Sequence, residues 1–512
     1  MFLFPVVVFA QQPWYKYSPM DYAWKDVGNA GFSVSEAWYT SLAFSPSGQP
    51  YVAYEDWAAD YSKATVMMFD GNSWGTVGYS GFSAGQARYT SLAISPSDGQ
   101  PYVAYQDGGN YWRATVMKFN GSIWVNVGIP GFSIGEASNI DLVFDSSEDV
   151  PYITFSCTLD TDKATVMKFD GISWVYIGKS GFSKGVVSDL SLAFSPIDGH
   201  PYVAYCDEAD SGKATVMKFD GTNWVYVGAE DFSIGAASYE SIAFSPSGQP
   251  YVAFDNDILF TGGAIVMNFD GTNWVNVGVD TLRFSASSTS YTSLAFNPSN
   301  NQPYVAYSDN QFLPHGHGRA TVMKFDGTNW VNVGDSGFST AEADYTSLAF
   351  SQSGQPFVAF VDWGDSSKAT VMRFDGSKWV DVGSAGFSAG RACYTSLVFS
   401  PNDQPYVAYM DGADSSKATV MYYDSVFVGV KEQQESKLSL YPNPATDKIT
   451  IEIAEGQVPS QLSMMNLNGQ DILTCQITKS KSTIDISGLP SGVYFMRVTN
   501  ERTVEVGKFI KN

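Results

Sequence analysis

The sequence predicts an all-β chain: an eight-bladed β-propeller of four-stranded blades, its last blade closed by an N-terminal strand, followed by a small Ig-like β-sandwich. Three observations carry this. A unit of about 50 residues recurs eight times. Each unit holds four short β-branched or aromatic segments punctuated by Gly, Pro, Asp and Asn. The repeat stops near Asp424, and a different run of alternating strands occupies the C-terminus.

The repeat is marked by the Phe of "GFS", at Phe32, Phe82, Phe132, Phe182, Phe232, Phe284, Phe338 and Phe387. The segments follow it in fixed order: "SLAFSP", as at Ser41 to Pro46; "PYVAY", as at Pro201 to Tyr205; "ATVMKF", as at Ala214 to Phe219; and "WVNVG", as at Trp274 to Gly278. Linkers such as "SPSGQP" and "DGTN" supply tight turns, so each unit is a four-stranded meander. In "ATVMKF", Thr215, Met217 and Phe219 share one face, and Ala214, Val216 and Lys218 the other. Both faces are largely apolar, so each sheet needs a neighbour on both sides, in an open stack or a closed ring. The ends decide between them. "MDYAWKDVG", Met20 to Gly28, matches the turn and fourth strand with no first three strands before it. The last unit ends at Met421 without a good fourth strand. An offset of one strand lets the N-terminal segment complete the last sheet, and no polar capping repeat is visible at either end. The run "SLAFSPSGQPYVAY…ATVMKFDG" also resembles WD40-like propellers, without their Trp-Asp signature. That resemblance implies that "SLAF" is innermost, and that the loops after the second strand share a face with the "GFS" connectors.

The predicted domains are a signal peptide over 1–10, the propeller over 14–424, a polar linker over 425–437 and a C-terminal domain over 438–512. "MFLFPVVVFAQQ" reads as a signal peptide cleaved after Ala10, though it lacks a basic start. The C-terminal domain contains "LSLYPNPATDKITIEI" (Leu438 to Ile453), "LNGQDI" (Leu467 to Ile472), "ISGLPSGVYFMRV" (Ile486 to Val498) and "VGKFIKN" (Val506 to Asn512). In this order the stretches resemble the type A C-terminal sorting domain of the type IX secretion system of Bacteroidetes. The resemblance implies an export address read by the secretion machinery, and a product left on the cell surface or released. The propeller resembles repeat regions of secreted Bacteroidetes proteins, which implies no particular activity.

Composition narrows the function. A formal net charge of -23 repels phosphate backbones, so nucleic acid is not an expected partner. No stretch is long enough to span a membrane as a helix. Cys157 and Cys206 occupy near-equivalent places in adjacent units, where a bridge is geometrically demanding. His200 reads as a turn residue, and His315 and His317 in "LPHGHGR" have no third ligand nearby. No metal, cofactor or catalytic residue is predicted; GxSxG, HExxH, P-loop and CxxC motifs are all missing. Six acids end the second strands (Asp56, Asp107, Asp207, Asp309, Asp362, Asp411), and a base opens most third strands (Lys63, Arg113, Lys163, Lys213, Arg319, Lys368, Lys417). Cross-strand ion pairs are the expected reading, because the unit with Asn256 instead of the acid also lacks the base.

The loops between those positions vary most, as binding loops on a repeated scaffold do. They hold the candidate ligand-binding residues Trp57, Tyr61, Tyr111, Trp112 and Trp363, beside Asp60, Asp210, Asp365 and Asp414. Aromatics with carboxylates suit sugar rings and hydroxyls, or a protein interface. The recurring tyrosines Tyr39, Tyr89, Tyr239, Tyr291, Tyr345 and Tyr394 are expected to pack at the channel mouth. The favoured function is a secreted or surface-held monomeric propeller that binds glycans or proteins. The alternatives are a polysaccharide-directed enzyme with a Tyr and acidic pair at the central mouth, or a purely structural surface component.

Overall fold

A computed structural model describes residues 21–57, 62–145, 148–257, 262–278, 283–285, 287–312, 318–426, 438–453, 458–466, 471–500 and 504–512. The expected signal peptide, His315 and His317 lie outside the described residues, as does the expected linker from 427 onward. Two compact units are present, one spanning Tyr22–Ser425 and one containing Val426–Asn512.

The larger unit is built from eight four-stranded antiparallel sheets. Blade 1 consists of Ala37–Phe44, Pro50–Asp56, Lys63–Phe69 and Trp74–Thr76. Blades 2 to 7 repeat this order. Blade 8 takes its first three strands from Ala392–Phe399, Pro405–Asp411 and Lys417–Val426, and its fourth from Asp21–Asp26. Val27 N donates to Val420 O at 2.9 Å and Phe32 N to Ala418 O at 3.0 Å, which closes the ring as expected. First strands are innermost: amides of Leu142, Leu348 and Leu397 donate to the hydroxyls of Ser91, Ser293 and Ser347 on the preceding blade.

Middle strands are buried on both faces. In blade 4, Ala214, Thr215, Val216 and Met217 are each at most 4% exposed. In blades 1 to 7 the fourth strand is only three residues long, shorter than the predicted "WVNVG", whereas the N-terminal strand that completes blade 8 has six. The outer edge of each third strand is instead finished by the connector to the next blade. Val77 N and Phe82 N donate to Val66 O and Ala64 O, and Ser83 Oγ accepts from Ala64 N. This hides backbone groups that an open edge would expose.

Tryptophan and the connector phenylalanine join neighbouring blades. Trp224 stacks on Phe182 with centroids 4.3 Å apart, and its indole N–H donates to Ile177 O of the preceding blade at 2.6 Å. The same pairing recurs around the ring, including Trp24 on Phe387 and Val382 O, and Trp74 on Phe32 and Val27 O. The glycine ending "WVNVG" lets the ring approach. At Gly178 (φ +72°) a Cβ would lie 3.0 Å from Trp224 Cδ1.

The smaller unit has two sheets. One joins Ser439–Tyr441, Lys448–Glu452 and Lys481–Asp485; the other joins Asp471–Ile477, Ser460–Met465, Gly492–Thr499 and Val504–Lys511. Ile449, Ile451, Leu462, Met496 and Phe509 form its core. The "YPNP" stretch stitches down the last strand, with Asn443 donating to Lys508 O and accepting from Ile510 N.

Candidate functional site at the channel mouth

Each first strand contains a bulge, which the sequence did not announce. The pairing register slips between Trp38 and Ser41 in blade 1 and at the matching place in blade 8. The residue in the bulge takes a left-handed conformation, as at Tyr39 (φ 53°), Tyr89 (54°), Tyr291 (56°), Tyr345 (54°) and Tyr394 (57°). Bulges re-aim side chains, and here they gather tyrosine rings at the mouth. Centroids run Tyr291–Tyr345 at 4.9 Å, Tyr345–Tyr394 at 5.7 Å, Tyr394–Tyr39 at 5.5 Å and Tyr39–Tyr89 at 5.3 Å. The arc covers blades 6, 7, 8, 1 and 2. Blades 3 and 4 put Asn139 and Asp189 in the bulge instead. Burial, with the neighbouring tyrosines, raises the phenol pKa of Tyr39 and Tyr394.

The loops after the second strands rise on this same face, as shown by Trp57 N donating to Glu36 O and Gly108 N to Gln86 O. Most begin with a one-turn 3-10 helix, and here the expected ion pairs are corrected. Asp107 and Arg113 do face each other across the ladder, as do Asp207 and Lys213, Asp362 and Lys368, and Asp411 and Lys417. None of these four pairs closes an ion pair. The buried carboxylate caps the turn instead. Asp107 accepts from Gly109 N at 2.9 Å, from Thr115 Oγ1 at 2.9 Å and from Asn110. Asp207, Asp362 and Asp411 likewise accept from Ala209 N, Gly364 N and Ala413 N. A short carboxylate buried beside free amides is satisfied locally, and the long basic side chain runs elsewhere: the stem of Lys63 lies against Gly81 of the next connector. Cys157, the acid's replacement in blade 3, makes no such cap.

The candidate site residues separate into two groups. Asp365 and Asp414 end their turns packed on the connector glycines Gly386 and Gly31. Asp210 holds the same place but meets Asp231, which replaces the glycine; Lys184 bridges them at 3.0 and 3.6 Å. Burial, with Asp210 beside it, pushes the Asp231 carboxyl up to about 6. These acids serve the blade joints. Asp60 and Tyr61 lie outside the described residues.

The loop rings form the second group. Trp57, 49% exposed, lies 6.0 Å from Trp38, and Trp38 lies 6.4 Å from Tyr394. Trp112 lies under Arg88, whose guanidinium is 4.5 Å from the ring centre. Trp363 donates its indole N–H to Asp344 Oδ2 at 2.9 Å, and Arg391 lies 5.6 Å from its ring. Tyr111 is 82% exposed, and Tyr111 and Trp112 both have φ 59°. The same left-handed pair ends the turn in other blades, as at Ser366 and Ser367 or Ser415 and Ser416, so the conformation belongs to the turn and only the aromatic side chains are particular to blade 2. Sequence reasoning missed Trp38, Arg88 and Asp344, the residues just before the bulge, which partner the loop rings. A signal existed: blades 3 to 6 carry Ser138, Ser188, Ser238 and Ser290 there.

Among the described residues no group of His, Cys, Asp and Glu is arranged to hold a metal. A groove of about 390 Å³ lies elsewhere, on blade 5 between Ile234, Phe254, Ile265, Met267 and Trp274, and contains no titratable group.

Comparison with known proteins settles the C-terminal unit. The family described as a secretion system C-terminal sorting domain matches residues 439–512. This segment is a type IX secretion sorting domain. The sorting domain marks the chain for export to the cell surface or the medium and for contact with the secretion machinery. No helix among the described residues is long and apolar enough to cross a membrane. No curated protein sequence matches the chain. Similar solved structures include PorZ, a surface component of the type IX secretion system of Porphyromonas gingivalis (13% identity, 92% of this chain and 70% of that one, TM-score 0.40). Others are an ulvan lyase (12%, 65% and 93%, 0.38) and the SapL1 lectin with α-methyl fucoside (16%, 59% and 96%, 0.35). At these identities the likeness concerns the fold alone.

Proposed function

We propose that the chain is an exported binding propeller that recognises glycans through the aromatic mouth formed by blades 7, 8, 1 and 2. On this reading 1–10 is the leader, 14–424 the propeller, 425–437 a linker and 438–512 the sorting domain. The carrying observation is the gathering of Trp363, Tyr345, Tyr394, Trp38, Trp57, Tyr39, Tyr89, Tyr111 and Trp112 on one face. Aromatic rings held by a rigid scaffold, most of them partly buried, present flat apolar surface at low entropic cost. Asp210, Asp365 and Asp414 are left as supports of the loops.

The test is a glycan and envelope-protein binding screen with the full chain. Saturable glycan binding is expected to fall by roughly five- to a hundredfold in each of Trp57→Ala, Trp112→Ala and Trp363→Ala, since stacking on an aromatic ring contributes about 1–3 kcal/mol. Turnover of a polysaccharide that survives these changes points instead to an enzyme and sinks the reading.

A further inference from the structure

Arg88 and Arg391 are exposed, and neither has a carboxylate within ion-pair distance among the described residues. Each lies over a loop tryptophan instead, Arg88 over Trp112 and Arg391 over Trp363. A guanidinium held on a ring face keeps its in-plane N–H donors directed outward, in the fork that matches an oxyanion.

The acids nearby are otherwise engaged. Glu36 accepts from the Trp38 indole at 3.2 Å and Asp344 from the Trp363 indole. Glu55, buried at 3% exposure and bonded to Ser62, feels the charge of Arg88 but forms no ion pair with it. Arg88 belongs to the blade at one end of the tyrosine arc and Arg391 to the blade at its middle. Arg88 adjoins Tyr89, Arg391 comes three residues before Tyr394, and Tyr39 stands between those rings.

We infer that the glycan bound at this mouth is anionic, its carboxylate or sulfate groups taken locally by Arg88 and Arg391 against the repulsion of the net charge of -23, while its sugar rings lie on the tyrosine arc. This rests on the glycan-binding reading above. An acidic polypeptide would use the arginines but leaves the stacking surface without pyranose rings, so a sugar polymer is the better occupant.

The full chain is titrated with oligogalacturonate, with its fully methyl-esterified form, with carrageenan oligosaccharides and with their desulfated form. Poly-glutamate is the polypeptide control. The expected result is binding of one charged oligosaccharide with its uncharged counterpart at least about tenfold weaker, as one lost charge-assisted contact implies. The charged arm that binds tells carboxylate from sulfate. R88Q and R391Q should each erase most of that preference, and R88K should restore only part of it, because lysine lacks the fork. Unchanged melting temperatures confirm that the variants fold. The inference is overturned if both glutamine variants bind the charged oligosaccharide as the parent does, or if charged and uncharged forms bind alike; glycan binding then stands without a charge requirement. Binding of poly-glutamate alone, or of no oligosaccharide, overturns the glycan-binding reading as well.

Discussion

Asp231 shows how one residue can strain a repeated joint. Six connectors carry glycine at this place, as at Gly181 (φ +54°) and Gly386 (φ +56°); Asp231 adopts φ 51° with a side chain. Its carboxyl is 7% exposed, faces Asp210 and receives Thr215 Oγ1 at 3.2 Å. Burial raises its pKa from 3.8 to about 6. A raised carboxyl pKa means the folded state holds the proton more tightly than the unfolded one, so stability falls as pH rises from the lower value through the higher. Asp231→Gly should therefore stabilise the propeller by on the order of 1 kcal/mol at pH 7.5. The gain should shrink toward the backbone contribution alone below pH ~4, where both states are protonated. Thermal melts of parent and variant across that range check it. The sequence displayed the substitution plainly, but not that Asp210 of the preceding turn would be its neighbour.

At the scale of the element, strand identity was legible because each segment is short, β-branched and bounded by turn residues. The capped turn was not. Asp107 and Arg113 stand opposite each other, and position alone cannot tell an exposed ion pair from a buried carboxylate serving amides. The two differ in what a mutation costs. Asp107→Ala should destabilise by about 1–2 kcal/mol, and Arg113→Gln by less than about 0.5 kcal/mol. Denaturant unfolding of both variants decides; equal losses would favour the ion pair. The bulge was equally hidden. Tyrosine is no signal for a left-handed residue, and only pairing with the second strand reveals the slip in register. The site follows from it, because the bulge turns Tyr39 and its equivalents toward the mouth, and the residue before it, Trp38 or Arg88, toward the loop.

For the molecule as a whole, closure depends on the first described strand. Trp24 is 9% exposed, stacks on Phe387 and donates to Val382 O, as the internal tryptophans do in their blades. Trp24→Ala should thus cost as much as Trp224→Ala, roughly 3–5 kcal/mol, although it lies some 400 residues from its partner strand in blade 8. A much smaller loss at Trp24, seen in paired unfolding curves, would mean that the terminal strand contributes little to the ring.

By itself the sequence determined the number of blades, the one-strand offset that closes them and the sorting domain, because repeat spacing and motif order are one-dimensional facts. Only the tertiary structure decided where the candidate site lies. Trp57, Arg88, Trp112, Trp363 and Arg391 are spread over more than 300 positions. They share one mouth because ring closure sets blades 7 and 8 beside blades 1 and 2, and because a bulge in each inner strand aims their partners there. The aspartates that looked alike in the repeat were drawn away, into caps and blade joints, by the buried amides they satisfy.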